Sequence, residues 1–143
     1  MKKNISWTQS HPIAGSVQEF AEASRVPVIN GGDGDNEHPS QALLDLYTIK
    51  KELESRGKTI ENARVALIGD LKYGRAVHSL CKILSLYKNI SLNLVSPEKL
   101  KLPSSLIKEL ITINTSVFKK IICILDRLSL CKLCSVCFLL CVA

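Results

Sequence analysis

The apolar and polar positions of the chain follow two periods, one typical of strands and one typical of helices. A short β-type run, Val26–Ile29, is followed by a polar, glycine-rich stretch at residues 30–37. Beyond it, apolar side chains recur every three or four residues on one predicted helical face: Ala42, Leu46, Ile49 and Leu53. Pro39 suits the first helical position. The pattern therefore predicts a strand, a loop and a helix that closes near Arg56, with Gly57 as its C-cap.

A second strand–helix–strand unit follows. Residues 65–68 form a continuous apolar run, as expected for a parallel strand buried on both faces. A loop at residues 70–74 leads into a helix with one apolar face, made of Val77, Leu80, Cys81, Leu84 and Tyr87, and residues 90–95 return as a strand. In such a βαβ unit the loop lies at the carboxyl end of the strand, where open α/β sheets bind ligands. The predicted fold is α/β, with a Rossmann-like parallel sheet.

The two ends of the chain show weaker patterns. No element is predicted for residues 1–10, and a short helix is predicted over residues 17–23. Residues 104–110 favour another short helix, and residues 111–118 favour a weak strand. From Lys119 onward the composition shifts to Leu, Ile and Cys, without a clear period.

The start of the helix at Pro39 is the first candidate site. A helix N-terminus carries free N–H groups and a partial positive charge, so it favours an anion or a polarised carbonyl. His38 stands near the N-cap and Gln41 near the third helical residue, and their side chains are expected to converge over this end. The alternative interpretation is that the two residues only cap the helix.

The loop before this helix invites a metal-binding interpretation. Asp33, Asp35 and Glu37 alternate as in a calcium loop, but the glycine and the distal glutamate of such a loop do not stand at the required offsets. The glycines instead indicate a tight backbone turn into the helix. No metal site is predicted here.

Composition limits the class of protein. The chain has 143 residues and is 46% hydrophobic, enough for one compact unit with a core. Its net charge is +6, but basic and acidic residues are interspersed and aromatic residues make up only 5%, so no nucleic-acid partner is predicted. The start lacks an apolar leader segment, and charged residues interrupt the apolar tail. A soluble, cytoplasmic protein without membrane contact is expected.

The six cysteines are unevenly distributed. Cys81 stands alone on the apolar helical face and is expected to be core, while the other five crowd into the last 23 residues, so the main body has no disulfide framework and an intracellular protein is expected. The spacing Cys131-x2-Cys134-x2-Cys137-x3-Cys141 matches an iron–sulfur ligand run, but Val142 replaces the usual proline. An iron–sulfur site is therefore an alternative to an apolar, low-complexity tail from an aberrant reading frame or splice event.

Two separate motifs carry a resemblance to a known family. The run HPSQALLD occupies residues 38–45, and GDLKYGRAVHS occupies residues 69–79. In this order they resemble the aspartate carbamoyltransferase family, over roughly residues 10–110. The Lys-Tyr-Gly-Arg segment favours aspartate over ornithine, because ornithine carbamoyltransferases carry an Asn-rich segment there. Since both motifs belong to the middle of that family's chain, the sequence is interpreted as an interior fragment.

The resemblance implies parts of two aspartate/ornithine carbamoyltransferase domains. Residues 1–58 would be the C-terminal part of a carbamoyl-phosphate-binding domain, residues 59–120 the N-terminal part of an aspartate-binding domain, and residues 121–143 a divergent Cys-rich tail. The implied reaction converts carbamoyl phosphate and L-aspartate to N-carbamoyl-L-aspartate and phosphate, a step of pyrimidine biosynthesis. It needs no metal or organic cofactor, and the intact family implies a homotrimer.

The same resemblance assigns roles to individual residues. His38 would be catalytic, donating a hydrogen bond to the carbonyl oxygen of carbamoyl phosphate, and Gln41 would bind the carbamoyl group. Arg75 would hold a carboxylate of L-aspartate with two parallel hydrogen bonds, the alternative being an exposed loop arginine. His78 and Ser79 would orient the loop rather than touch substrate.

The sequence also departs from the family. Immediately before His11-Pro12, where the family has a substrate-contacting arginine, this chain has Ser10, which cannot supply the charge. Residues before His11 are therefore interpreted as unrelated to the family. The family's Ser-Thr-Arg-Thr loop, the lysine-bearing loop of its neighbouring subunit and its His-Pro-Leu-Pro segment do not occur in the 143 residues. The alternative function is a catalytically inactive, truncated product that retains part of a ligand-binding or subunit-association surface.

Overall fold

A computed structural model describes residues 6–113, 118–123 and 139–142. Its elements are β1 (Trp7–His11), α1 (Ser16–Ala23), β2 (Val28–Asp33), α2 (Pro39–Glu54), β3 (Arg64–Ile68), α3 (Arg75–Ser85), β4 (Ser91–Ser96), a 3-10 turn (Glu98–Leu100), α4 (Ser104–Ile113), β5 (Phe118–Cys123) and β6 (Leu139–Val142). The strands form a two-stranded sheet, β1-β2, and a four-stranded sheet in the order β5-β4-β3-β6. The predicted α/β class is confirmed.

The small sheet pairs β1 and β2 in parallel, with Trp7 opposite Val28 and His11 opposite Asp33. β1 lies in a stretch where no element is predicted, and β2 continues through the first half of the predicted glycine-rich loop. Gly31 and Gly32 lack the side chains whose alternation would reveal a strand, so the hydrophobic pattern ends before the strand does.

The helix α2 has the start and the C-cap that the sequence predicts. The N–H of Lys58 donates to the carbonyl of Leu53 at 2.9 Å, and the N–H of Gly57 donates to that of Glu54 at 3.0 Å. Gly57 has a φ of +66°, so these two bonds form a Schellman motif. The predicted apolar face is buried at Ala42, Ile49 and Leu53.

One core joins α2, α3 and α4 to strands β3 and β4. Its fully buried side chains come from all five elements and include Ile49, Leu67, Leu80, Leu92, Leu94 and Leu110. Cys81 is 0% exposed within this core, as the helical pattern predicts. β3 and β4 pair in parallel from Arg64–Ser91 to Ile68–Val95, which confirms the predicted βαβ unit.

The structure corrects two expectations in the C-terminal part. Residues 111–113 continue α4, and the strand predicted over residues 111–118 begins only at Phe118. The β-branched run at 111–113 favours a strand, but α4 buries Leu106 and Leu110 on one face and extends from them. The tail, expected to be low in complexity, contributes β6 as an antiparallel edge strand beside β3, so the sheet is mixed rather than wholly parallel.

Candidate active site

His38 is the N-cap of α2, as predicted, and its ring takes part in the cap. The Nδ1 atom accepts a hydrogen bond from the backbone N–H of Gln41 at 3.3 Å, and the hydroxyl of Ser40 lies 3.3 Å from the same nitrogen. Because a backbone N–H can only donate, Nδ1 must be the acceptor, and the ring proton is on Nε2. Capping therefore leaves His38 with one N–H that can donate to a ligand.

Gln41 does not meet His38 through its side chain. Its backbone N–H makes the cap bond, while its amide Nε2 donates to Oδ1 of Asp45 at 3.0 Å, one turn further along α2. The expected convergence of the two side chains over the helix end is therefore wrong in this structure. The bond to Asp45 orients the amide, and its Oε1 atom is left as the acceptor.

Arg75 is the first residue of α3 and is half-buried. Its guanidinium donates to the backbone carbonyl of Gly34, in the loop between β2 and α2. The interpretation of Arg75 as an exposed loop residue is therefore wrong. This contact brings the loop after β3 against the loop after β2.

Ser10, His38 and Arg75 meet beside Gly32. A Cβ atom placed on Gly32 would lie 3.4 Å from Oγ of Ser10, 3.5 Å from Nη2 of Arg75 and 3.5 Å from Cδ2 of His38. Gly32 also has a φ of +128°, a conformation that favours glycine. The glycine thus leaves open a small space lined by a hydroxyl, an imidazole and a guanidinium.

The loop after β3 is shaped by its own hydrogen bonds. Oδ1 of Asp70 accepts from the N–H groups of Lys72 and Tyr73, both at 3.0 Å. Nε2 of His78 lies 2.9 Å from the carbonyl oxygen of Leu71, which confirms that His78 orients this loop. Tyr73 is 69% exposed and does not pack into the core.

Two contacts made by α3 were not predicted from the sequence. The N–H of His38 donates to Oγ of Ser79 at 3.1 Å, and Nζ of Lys82 lies 2.8 Å from Oε1 of Glu37. The members of each pair are more than forty residues apart, and no local pattern links them. The sequence signal available for Ser79 was only its place in the second motif.

The acidic residues of the glycine-rich loop face different partners. Asp33 is 3% exposed, and its Oδ2 accepts from the N–H of Gly15 at 3.0 Å and from Nδ2 of Asn36 at 3.3 Å. The bond from Gly15, at the N-terminus of α1, lowers the pKa of this carboxyl group. Asp35 is exposed, and Glu37 binds Lys82. The three carboxylates therefore do not face a common centre.

No group of three or more His, Cys, Asp or Glu side chains within the described residues could hold a metal ion. Residues 131, 134 and 137 of the proposed iron–sulfur run lie outside the described residues, and Cys141 belongs to β6. Burial raises the pKa of the Cys81 thiol to about 12, so this cysteine is a poor nucleophile.

Two surface cavities lie away from this space. One, of about 460 Å³, is lined by residues 85–89 and Ile113, and another, of about 320 Å³, by Leu53, residues 58–59 and residues 61–64. Both are at the amino ends of β3 and β4, opposite the edge that carries Arg75.

In the part of the chain that the structure describes, no helix is long and apolar enough to cross a membrane.

Comparison with known proteins shows which enzymes the chain resembles. The family model of the aspartate/ornithine carbamoyltransferase carbamoyl-P binding domain matches residues 6–51. The aspartate carbamoyltransferase catalytic subunit of Cellvibrio japonicus is 66% identical over 100 residues, which are 70% of this chain and 30% of that protein. Over 70% of its length the chain is therefore similar to an aspartate carbamoyltransferase catalytic subunit. It spans about a third of the length of the relatives it matches.

Solved structures of the aspartate carbamoyltransferase family share the fold. The catalytic subunit of M. jannaschii aspartate transcarbamoylase has 43% identity and a TM-score of 0.70, over 85% of this chain and 37% of that one. The Trypanosoma cruzi aspartate transcarbamoylase, in complex with N-(phosphonacetyl)-L-aspartic acid, has 34% identity and a TM-score of 0.71, over 81% and 37%. Since the family match begins at residue 6, the interpretation that residues before His11 are unrelated to the family is wrong for residues 6–10.

Proposed function

We propose that this chain carries part of the active site of an aspartate carbamoyltransferase catalytic subunit. The reaction is the transfer of the carbamoyl group from carbamoyl phosphate to the amine of L-aspartate, with release of phosphate, in pyrimidine biosynthesis. The observation that carries the proposal is the meeting of His38, from the start of α2, with Arg75, from the start of α3, across Gly32. The imidazole N–H of His38 suits the carbonyl oxygen of carbamoyl phosphate, and the guanidinium of Arg75 suits a carboxylate of L-aspartate.

His38 acts on the carbamoyl carbonyl. Its Nε2–H is free to donate because Nδ1 is engaged in the cap, and this donor stabilises the negative charge that grows on the oxygen in the tetrahedral transition state. Gln41 binds the carbamoyl amine through Oε1, the acceptor left by its bond to Asp45. In enzymes that stabilise a tetrahedral oxyanion, losing one donor costs about 10²- to 10³-fold in kcat.

Arg75 binds a carboxylate of L-aspartate. Its guanidinium donates to the carbonyl of Gly34 in the structure, and the substrate carboxylate, as a charged acceptor, forms the stronger bond. The substrate then replaces this contact. The half-buried position of Arg75 reduces screening by solvent, which favours such an exchange.

The phosphate side of the site is weak in this chain. Ser10 lines the space beside Gly32 where the family's arginine is implied, and a hydroxyl cannot neutralise phosphate. The 143 residues therefore give no more than trace turnover by themselves. This supports the second candidate function, an inactive product that retains part of the ligand-binding or subunit-association surface.

The remaining parts of the proposal follow the family. Residues 1–58 belong to a carbamoyl-phosphate-binding domain, residues 59–120 to an aspartate-binding domain, and residues 121–143 to a divergent tail, although β5 continues across residue 120. The intact assembly is a homotrimer in the cytoplasm, with neither nucleic acid nor membrane as a partner and without a cofactor.

The proposal is tested by calorimetric titration of the chain with N-(phosphonacetyl)-L-aspartate, alongside an assay for N-carbamoyl-L-aspartate. Weak binding is expected, and His38→Ala and Arg75→Ala should each reduce it, while Lys51→Ala, an exposed lysine of α2, should not. Turnover should stay at trace level. Binding that neither site variant reduces would overturn the assignment, and full turnover by the chain alone would exclude the inactive product.

A further inference from the structure

We propose that Lys82 is a positioning residue that fixes His38 by holding the preceding residue, Glu37, against α3. Nζ of Lys82 lies 2.8 Å from Oε1 of Glu37 and 3.3 Å from Oε1 of Glu109. One ammonium therefore ties together the loop before α2, the helix α3 and the helix α4. The functional meaning of this ion bridge rests on the proposed role of His38.

Glu37 is held on two sides. Its side chain binds Lys82, and its backbone carbonyl accepts the N–H of Asp33 at 3.1 Å, which closes the turn before α2. His38 follows directly, and its N–H donates to Oγ of Ser79, three residues before Lys82 on α3. Two consecutive residues of the loop thus contact one face of α3, and the position of His38 depends on that helix.

The Lys82–Glu37 pair of this bridge is better shielded than the ion pair between Lys51 and Glu54. The side chains of Lys82 and Glu37 are 34% and 36% exposed, whereas those of Lys51 and Glu54, paired on the surface of α2, are 58% and 53% exposed. Partial burial reduces screening by water and salt. The hydrogen bond with Glu37 raises the pKa of Lys82, so its charge is kept at physiological pH.

Loss of the lysine charge would leave two carboxylates close together. Glu37 and Glu109 both bind the same nitrogen, and without it they repel each other. The backbone of Glu109 is fixed within α4, whereas Glu37 lies on a loop, so the backbone that yields to this repulsion is that of Glu37. His38 would move with it, and the contact between its Nδ1 and the N–H of Gln41 would weaken.

The consequence reaches the proposed chemistry through the imidazole tautomer. The contact with the N–H of Gln41 keeps the ring proton on Nε2 and aims that N–H away from the helix. When the contact weakens, both neutral tautomers are populated, and the Nε2–H donor is present only part of the time. Through the Lys82 bridge, α3, which carries Arg75, thus also keeps the Nε2–H donor of His38 in place.

The test uses the ¹⁵N-labelled full chain and the variants Lys82→Met, Lys82→Arg and Lys51→Met. Two quantities are measured above the titration range of histidine: the ¹⁵N shifts of the His38 ring, which report the tautomer, and the exchange rates of the His38 and Gln41 amides. Lys82→Met should bring the two ring shifts closer together and speed amide exchange by about threefold to tenfold. Lys82→Arg should restore both, and Lys51→Met should change neither.

Unchanged ring shifts in a folded Lys82→Met variant would overturn the proposal, as would an equal change in Lys51→Met. If Lys82→Met does not fold, Glu37→Gln removes the same ion pair without leaving two facing carboxylates, and it must shift the tautomer in the same direction by a smaller amount. Titration with N-(phosphonacetyl)-L-aspartate separates the two proposals. If the chain does not bind the analogue but the tautomer responds to Lys82, the proposed function fails while the positioning role stands.

Discussion

The units β1-α1-β2 and β3-α3-β4 have the same order of elements and the same parallel pairing, but they are stabilised differently. In the second unit Leu67, Leu80 and Leu92 are fully buried, as expected for a sheet covered by helices. In the described residues of the first unit, Val17 is the one buried apolar side chain, and Trp7 remains 53% exposed. Burial therefore stabilises the second unit, while the first depends more on hydrogen bonds, and the loop that follows it contacts α3.

The comparison teaches where the candidate site obtains its geometry. Gly32 and Asp33 at the end of β2, and Glu37 in the loop after it, each make a polar contact: Gly32 with Asn30, Asp33 with Gly15 and Glu37 with Lys82. The loop after β3 is set on the core, because Leu71 in it is 0% exposed. Arg75 of the better-packed unit reaches across to Gly34 of the other. The site is thus built where a well-buried unit holds a less buried one.

The largest expected effect is a loss of stability when an apolar side chain is truncated in the helix of each unit. Leu80→Ala in α3 removes a fully buried side chain and should lower the free energy of unfolding by about 2–5 kcal/mol. Phe20→Ala in α1 removes a side chain that is 40% exposed and should cost less than about 1 kcal/mol. Urea denaturation of both variants measures the difference. Equal losses would show that the first unit has a core of its own.

The next effect concerns the residue that joins the units. Arg75→Lys should lose as much affinity for N-(phosphonacetyl)-L-aspartate as Arg75→Ala, about 2–4 kcal/mol, because an ammonium cannot reproduce the planar fork that grips a carboxylate. Calorimetry on both variants makes the comparison. Near wild-type affinity of the lysine variant would leave Arg75 as a residue that only joins the loops.

A smaller effect is expected at Gly32 of β2, beside which His38 and Arg75 meet. Gly32→Ala forces a φ of +128° on alanine and fills the space beside His38 and Arg75 with a methyl group, and it should cost about 1–3 kcal/mol of stability. Gly57→Ala also places alanine at positive φ, but nothing lies within 4 Å of the added carbon, so about 1 kcal/mol is expected. In addition, only Gly32→Ala should weaken binding of the analogue. If the two variants behave alike, the space beside Gly32 has no role.

The smallest expected effect is a dependence of the protein's stability on pH, caused by Cys81 in the second unit. Burial raises the pKa of Cys81 to about 12, above the value of about 8.5 in an unfolded chain, so the folded state holds its proton longer. Stability should therefore fall as the pH rises above about 8.5, by about 1 kcal/mol at pH 9.5. Denaturation of the reduced protein and of Cys81→Ala at pH 7.5 and 9.5 isolates this part. An equal pH dependence in both proteins would contradict it.

The better-packed unit was also the more predictable one. The periodic faces of α2 and α3 and the apolar run of β3 identify their elements, because burial imposes the pattern that the sequence displays. β1 and the end of β2 escape this reasoning, since their side chains are largely exposed or absent at glycines. β6 escapes it because its partner, β3, lies about seventy residues away and a uniformly apolar tail has no period.

The candidate site shows the same division. Pro39 predicts that His38 is the N-cap, because the cap is a local feature, and the second motif indicates Arg75 through the family resemblance. Neither predicts that Ser79 and Lys82 hold the cap in place, because those contacts form only when α3 packs beside α2. The hydrogen bond from the Gln41 amide to Asp45 was also not predicted, since Asp45 competes with the helix end for this side chain.

The central claim is that His38, at the start of α2, and Arg75, at the start of α3, form one site across Gly32. The most direct test is a single NMR titration of the ¹⁵N-labelled chain with N-(phosphonacetyl)-L-aspartate that follows the His38 ring, the Arg75 guanidinium and the Gly32 amide together. The account predicts that all three signals move along curves with one common Kd. Movement of the His38 signals alone, or separate constants for His38 and Arg75, would contradict it.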